Sequence, residues 1–80
     1  MKKIRVLIVE DEFITLDTLR DELEVIGYEI AGGAMKAQEA LEILEQGDTD
    51  IAILDIHLKG SESGIWLAKQ IRKRYQIPFI

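Results

Sequence analysis

Residues 4–12 read Ile4-Arg5-Val6-Leu7-Ile8-Val9-Glu10-Asp11-Glu12, a β-branched and almost unbroken apolar run that stops abruptly on three acids. A strand with one wet face alternates polar and apolar residues, so a run without alternation points to a strand covered on both faces of a parallel sheet. The signature recurs at Ile51-Ala52-Ile53-Leu54 and ends on Asp55. Acids thus follow the carboxyl ends of two buried strands.

Working outward, Leu16, Leu19, Leu23 and Ile26 recur at helical spacing, while Asp17, Arg20, Asp21, Glu22 and Glu24 fall elsewhere. This predicts an amphipathic helix over 13–26, closed by Gly27 in a left-handed conformation. Residues 28–31 read as a short strand and Gly32-Gly33 as a turn. Ala37, Ala40, Leu41 and Leu44 then form one face of a second helix that ends at Gly47. Beyond Asp55, residues 58–63 read as a loop. Ser63 is placed to cap a third helix over 65–75, with Leu67, Ala68 and Ile71 inward. Lys69, Arg72, Lys73 and Arg74 gather toward the end of that helix, where cations complement the macrodipole. Trp66 is read as a packing residue and residues 72–74 as a solvated helix end. A fourth strand begins at Ile77-Pro78-Phe79-Ile80.

Strands and helices alternating at short connections predict an α/β fold, a parallel sheet with right-handed crossovers and helices on both faces. Such a sheet carries its site outside the carboxyl ends of its strands, at the point where strand order reverses. In this chain those ends carry Glu10, Asp11, Glu12 and Asp55.

Composition narrows the function. With 48% apolar and 31% charged residues in 80, the chain is globular rather than disordered, and its size suits one folding unit. It has no cysteine, which excludes disulfide staples and thiolate metal sites and leaves stability to packing. A net charge of −5 repels nucleic-acid backbones and anionic lipid. Its longest apolar run is far shorter than the roughly 20 residues of a membrane span. The expectation is a cytoplasmic protein that touches neither nucleic acid nor membrane.

If the first and third strands are neighbours, Glu10 and Asp11 meet Asp55. Carboxylates about 5 Å apart repel by roughly 3 kcal/mol per pair at an effective dielectric near 20. A cation is expected there. Oxygen donors without a histidine or cysteine cluster favour a hard ion, and a few carboxylates completed by water and a substrate phosphate is the Mg²⁺ pattern. A carboxylate can also be the nucleophile in phosphoryl transfer, and Asp55 is placed for that role.

Val9-Glu10-Asp11-Glu12, with Leu54-Asp55-Ile56-His57-Leu58, Gly60 and Gly64-Ile65, resembles the receiver domains of two-component response regulators, and the likeness runs over the whole chain. It implies a flavodoxin-like doubly wound parallel sheet of strand order 2-1-3-4. Residues 1–80 would then be a receiver domain truncated within strand four, without strand five and helices four and five. By the resemblance Asp55 accepts a phosphoryl group from a sensor histidine kinase or phosphotransfer protein. Glu10, Asp11, Asp55 and the backbone carbonyl of His57 hold Mg²⁺, and the domain acts as a signalling switch rather than an enzyme. Lys59 stands where the family often has proline. The family's phosphoryl-binding Ser or Thr and its strand-five Lys have no counterpart up to Ile80.

Rival readings compete on charge and motif. A flavin-binding flavodoxin wants a hydroxyl- and glycine-rich phosphate loop after the first strand, and three acids there would repel the phosphate. A haloacid-dehalogenase-type phosphatase resembles Asp-x-Asp, and the second position here is His57. The remaining alternative is a receiver-like interaction fragment that binds a partner, or itself, without phosphoryl chemistry. Self-association is expected because an open strand edge and uncovered apolar face invite pairing.

Overall fold

The computed structural model describes residues 2–55 and 63–80. Its elements in chain order are β1 (Arg5–Val9), α1 (Phe13–Ile26), β2 (Glu29–Ala34), α2 (Ala37–Glu45), β3 (Ile51–Leu54) and α3 (Gly64–Arg74). The three strands are parallel in the order β2-β1-β3, so β1 is central and the order reverses beside it. Residues 77–80 run parallel along the free edge of β3. Ala52 N–H donates to Pro78 O (3.1 Å), Ile80 N–H to Ala52 O (3.0 Å) and Leu54 N–H to Ile80 O (2.8 Å). The fourth position of the expected order is therefore filled, by a bridge about Phe79 rather than by a full strand.

The sheet separates two apolar layers. Leu7 and Val9 point to one face, where Ala37, Ala40, Leu41 and Leu44 of α2 meet Leu67 and Ile71 of α3. Val6 and Ile8 point to the other, against Leu16 of α1 with Leu19 and Leu23 beside it. All four β1 side chains from Val6 to Val9 are buried, as the unalternating run predicted, and each contributes about 1.5–3 kcal/mol on leaving water. β3 departs from that expectation: Ala52 is buried, whereas Ile51, Ile53 and Leu54 are only partly covered. The difference lies in position, since β1 has a strand on either side and helices over both faces.

Helix ends follow their sequence signals. Gly27 takes φ 120°, and Tyr28 N–H to Leu23 O (3.0 Å) with Gly27 N–H to Glu24 O (3.1 Å) closes α1 by a Schellman pattern. Gly47, at φ 77°, donates to Leu44 O beyond α2. The Ser63 hydroxyl accepts from Trp66 N–H at 3.1 Å and caps α3, while Trp66 packs half-buried against the core. At the amino ends of the strands Arg5 ties elements together. Its guanidinium meets Glu29 on β2 and donates to Asp48 O (2.8 Å), and its N–H donates to Asp50 Oδ2 (2.8 Å).

Three further expectations are corrected. Gly32 and Gly33 lie within β2 instead of forming a turn, and the strand runs on to Ala34. The register jumps from Val6↔Ile30 to Leu7↔Gly32, so Ala31 is an extra residue, and both glycines serve helix approach. A Cβ on Gly32 would stand 2.7 Å from Ile43 Cδ1 of α2, and one on Gly33 would stand 3.1 Å from Leu16 Cδ1 of α1. Ile26, expected on the inner stripe of α1, is 70% exposed at the helix end. Ala68 is half-buried beside the fully buried Leu67.

The glycine contact generates a test. Alanine in a strand gains roughly 0.5–1 kcal/mol over glycine from chain entropy, but overpacking costs about 1–3 kcal/mol. Gly32→Ala should lower the unfolding free energy by about 1–2 kcal/mol in urea titration. Adding Ile43→Val, which deletes the clashing Cδ1, should recover part of the loss. An unchanged midpoint for Gly32→Ala would show that α2 gives way freely.

Candidate metal centre

The pairing that builds the sheet also builds the acidic site. Val9 pairs with Ala34 on one side and Leu54 on the other. The ladder continues one step past both strand ends, where Glu10 N–H donates to Ala34 O (2.9 Å) and Asp55 N–H donates to Val9 O (2.9 Å). Glu10 and Asp55 therefore leave the sheet side by side, with Asp11 next in the turn toward α1. One carboxylate oxygen from each of Glu10, Asp11 and Asp55 lies within 4.8 Å of the others, and all three residues are half-buried. Among the described residues this is the only such grouping of acids and histidines.

The turn is shaped by the acids themselves. Glu12 N–H donates to Glu10 Oε1 at 3.1 Å, a local contact that folds the Glu10 side chain over the turn. Glu12 is directed elsewhere: its Oε1 accepts from the Thr15 hydroxyl (3.0 Å) and its carbonyl from Leu16 N–H (2.9 Å). It is the solvated helix-start acid, favoured by the macrodipole, while its two predecessors face Asp55. Nearby, Glu39 Oε1 accepts from the N–H groups of Met35 (2.9 Å) and Lys36 (3.2 Å), fixing the β2–α2 connection on the same edge of the sheet. The sequence signal for Glu39 is an acid at the third position of a helix, which reaches back to free N–H groups.

Electrostatics records the crowding. The Glu10 carboxyl is pushed above its ordinary value of 4.5, first by burial and further by the Asp55 charge, a side-chain hydrogen bond with Asp11 and the Asp11 charge; the Glu12 N–H opposes the rise. The donor set fits a hard cation. All three are oxygen ligands, and their spacing is spanned by Mg–O bonds of about 2.0–2.1 Å once a carboxylate shifts or a water intervenes. The fourth expected ligand, the backbone carbonyl of His57, lies outside the described residues, as do Lys59 and Gly60.

A carboxyl whose pKa is raised by folding costs stability once the unfolded chain ionises. The penalty is absent below about 4.5, grows as pH rises toward the folded value, and stays in full at neutral pH. Without metal, Glu10→Gln should therefore melt higher than wild type at pH 7, with the gap closing toward pH 4. Saturating Mg²⁺ should stabilise wild type by about 2.7 kcal/mol at a concentration a hundred times its Kd, and stabilise Glu10→Gln less. Differential scanning calorimetry with and without MgCl₂ measures both effects. A variant that melts below wild type at pH 7 would contradict the crowding.

Comparison with known proteins gives three consistent findings. A family model described as response regulator receiver domain matches residues 6–80. The aerobic respiration control protein ArcA of Escherichia coli K12 is 35% identical over 77 residues, which cover 96% of this chain and 32% of ArcA. The chain spans about a third of the length of the curated relatives it matches. Among solved structures, the signal receiver domain of a modulated diguanylate cyclase from Desulfovibrio desulfuricans G20 superposes with a TM-score of 0.90 at 35% identity, covering 96% of this chain and 62% of that one. A structure of the histidine kinase ThkA in complex with the response regulator TrrA matches at 38% identity and a TM-score of 0.86, covering 95% of this chain and 65% of that one.

Proposed function

This chain belongs to the family of response regulator receiver domains, and on that premise we propose that Asp55 is its phosphoacceptor. The observation that carries the reading is the convergence of Glu10, Asp11 and Asp55 at the strand-order reversal, where an open α/β sheet offers a binding crevice. The donor is a phosphohistidine of a sensor histidine kinase or phosphotransfer protein. An oxygen of the Asp55 carboxylate forms the new O–P bond as the P–N bond of the donor breaks, and the electron pair leaves with the imidazole. Glu10, Asp11 and Asp55, with the backbone carbonyl that the family resemblance assigns to His57, would hold Mg²⁺. When bound, the ion neutralises carboxylates and incoming phosphoryl oxygens alike.

The chain's own residues do the positioning. The Asp55 N–H to Val9 O bond fixes the acceptor's backbone at the end of a strand, beside Glu10. Glu10 and Asp11 are held by the end of the central strand and by the turn into α1. Phosphorylation replaces a singly charged carboxylate by a group of nearly two negative charges, and the contacts it makes bias a pre-existing two-state equilibrium. That is a switch rather than a turnover enzyme. In this reading residues 1–80 belong to one receiver domain that works in the cytoplasm. Among the described residues no helix is long and apolar enough to cross a membrane.

Incubation with a small phosphodonor such as acetyl phosphate and Mg²⁺ should give a single phosphoryl adduct by intact-mass spectrometry. The adduct should be lost in Asp55→Asn and on chelation with EDTA, and reduced at least about tenfold in Asp11→Asn. An adduct that survives Asp55→Asn would move the acceptor elsewhere. No adduct, with Mg²⁺ binding intact, would favour the non-catalytic interaction fragment.

A further inference from the structure

The acid triad is bordered by a fourth acid that takes no part in it, and a single hydroxyl turns that acid away. Glu12 follows Asp11 directly, and its N–H donates to Glu10 Oε1 at 3.1 Å, so its backbone stands one hydrogen bond from a member of the triad. From there the side-chain rotamer decides whether its carboxylate faces the crevice or leaves it. Glu12 occupies the N-cap position of α1, yet its carboxylate accepts no backbone N–H of the helix. It accepts instead from the Thr15 hydroxyl, with Oγ1 3.0 Å from Glu12 Oε1. A helical threonine commonly turns its hydroxyl to a carbonyl one turn back, whereas the half-buried Thr15 spends its proton on the carboxylate.

Resting on the Mg²⁺ reading above, we propose that Thr15 is a positioning residue of the metal centre: its hydroxyl holds the Glu12 carboxylate away from Glu10, Asp11 and Asp55 and so keeps the ligand set at three acids. The number of acids sets which cation the crevice prefers. Mg²⁺ demands a small octahedral shell and keeps several waters, whereas Ca²⁺ gathers about six to eight oxygens at longer distances. Three carboxylates leave positions for water and a phosphoryl oxygen, which suits Mg²⁺. A fourth carboxylate from the same turn crowds the small ion with like charge but completes the larger shell of Ca²⁺. Thr15 touches neither the ion nor the phosphoryl group, and acts through Glu12 alone.

Titration of the protein with MgCl₂ and with CaCl₂, followed by amide NMR shifts, gives a Kd for each ion and a preference ratio that a general loss of stability does not move. The same spectra verify that each variant is folded. Thr15→Val keeps the side chain's shape and removes the hydroxyl; for the loss of one exposed hydrogen bond the ratio should shift toward Ca²⁺ by about threefold or more. Thr15→Ala, a better helix former, should shift it the same way. Thr15→Ser retains the donor and should hold the wild-type ratio. Thr15→Val combined with Glu12→Gln should return to that ratio, because no fourth charge is left to enter. Three results would overturn the role of Thr15 while leaving the metal centre standing: an unchanged ratio in Thr15→Val and Thr15→Ala, an equal shift in Thr15→Ser, or a shift that persists in the double variant. A wild-type protein that binds neither ion would overturn the metal centre itself, and this role with it.

Discussion

The parallel pairing of β1 with β3 is the constraint on which the rest of the molecule depends. One register, Val9 against Leu54, brings like charges together and holds them there, because the next residues out are Glu10 and Asp55. With one oxygen of each acid within 4.8 Å of the others, an effective dielectric near 20 gives each pair a bare repulsion of about 3 kcal/mol, which water around half-buried groups reduces well below that. Four side chains buried on β1 alone, at about 1.5–3 kcal/mol each, outweigh that repulsion. A slip of one residue would relieve the acids but turn the apolar set of β3 to the wrong faces, so the sheet does not slip. Strain at the site is sustained by the core beneath it.

The same economy explains the contrast between the two ends of the strands. At the amino ends Arg5 meets Glu29, Asp48 and Asp50 with Lys2 nearby, so opposite charges are matched among strand, loop and terminus. At the carboxyl ends Glu10, Asp11 and Asp55 crowd together, and burial first, then the neighbouring acids, raises the Glu10 pKa. One end matches opposite charges, and the other gathers like charges that a cation would relieve. Half-burial of the acids lets water and ligands reach them while reducing the solvation that would otherwise quench their field. Membership of the receiver family and the acidic crevice agree on this division of labour.

Packing on the two faces differs as much as the two ends do. α2 and α3 close one face and are linked at their far ends, where Glu45 accepts from Arg74 at 2.7 Å and from the Tyr75 hydroxyl; burial and that Glu45 contact push the Tyr75 hydroxyl pKa upward. Among the described residues α1 packs on the other face, over β1 and β2. The glycines of β2 belong to the same packing, since Gly32 lets α2 approach through Ile43 and Gly33 lets α1 approach through Leu16 and Arg20.

Local chemistry was written in the residues. Unalternating runs marked β1 and β3, the 3.6-residue stripe marked α1, Gly27 and Ser63 marked helix ends, and a carboxylate at each strand terminus marked the site. These signals depend on near neighbours in the chain, so sequence carries them directly. The extent of β2 was not legible, because Gly32 and Gly33 look like a turn until α1 and α2 are seen to require bare backbone there. Nor was the exposure of Ile26, whose fate depends on what lies opposite the last turn of α1. The sequence by itself determined which residues are acids, where strands stop and how the helices begin. Only tertiary structure decided that Glu10 and Asp11 share one crevice with Asp55, more than forty residues further along the chain, while Glu12 does not. Proximity between distant segments is set by the register of β1 on β3, and register emerges from the packing of both faces at once.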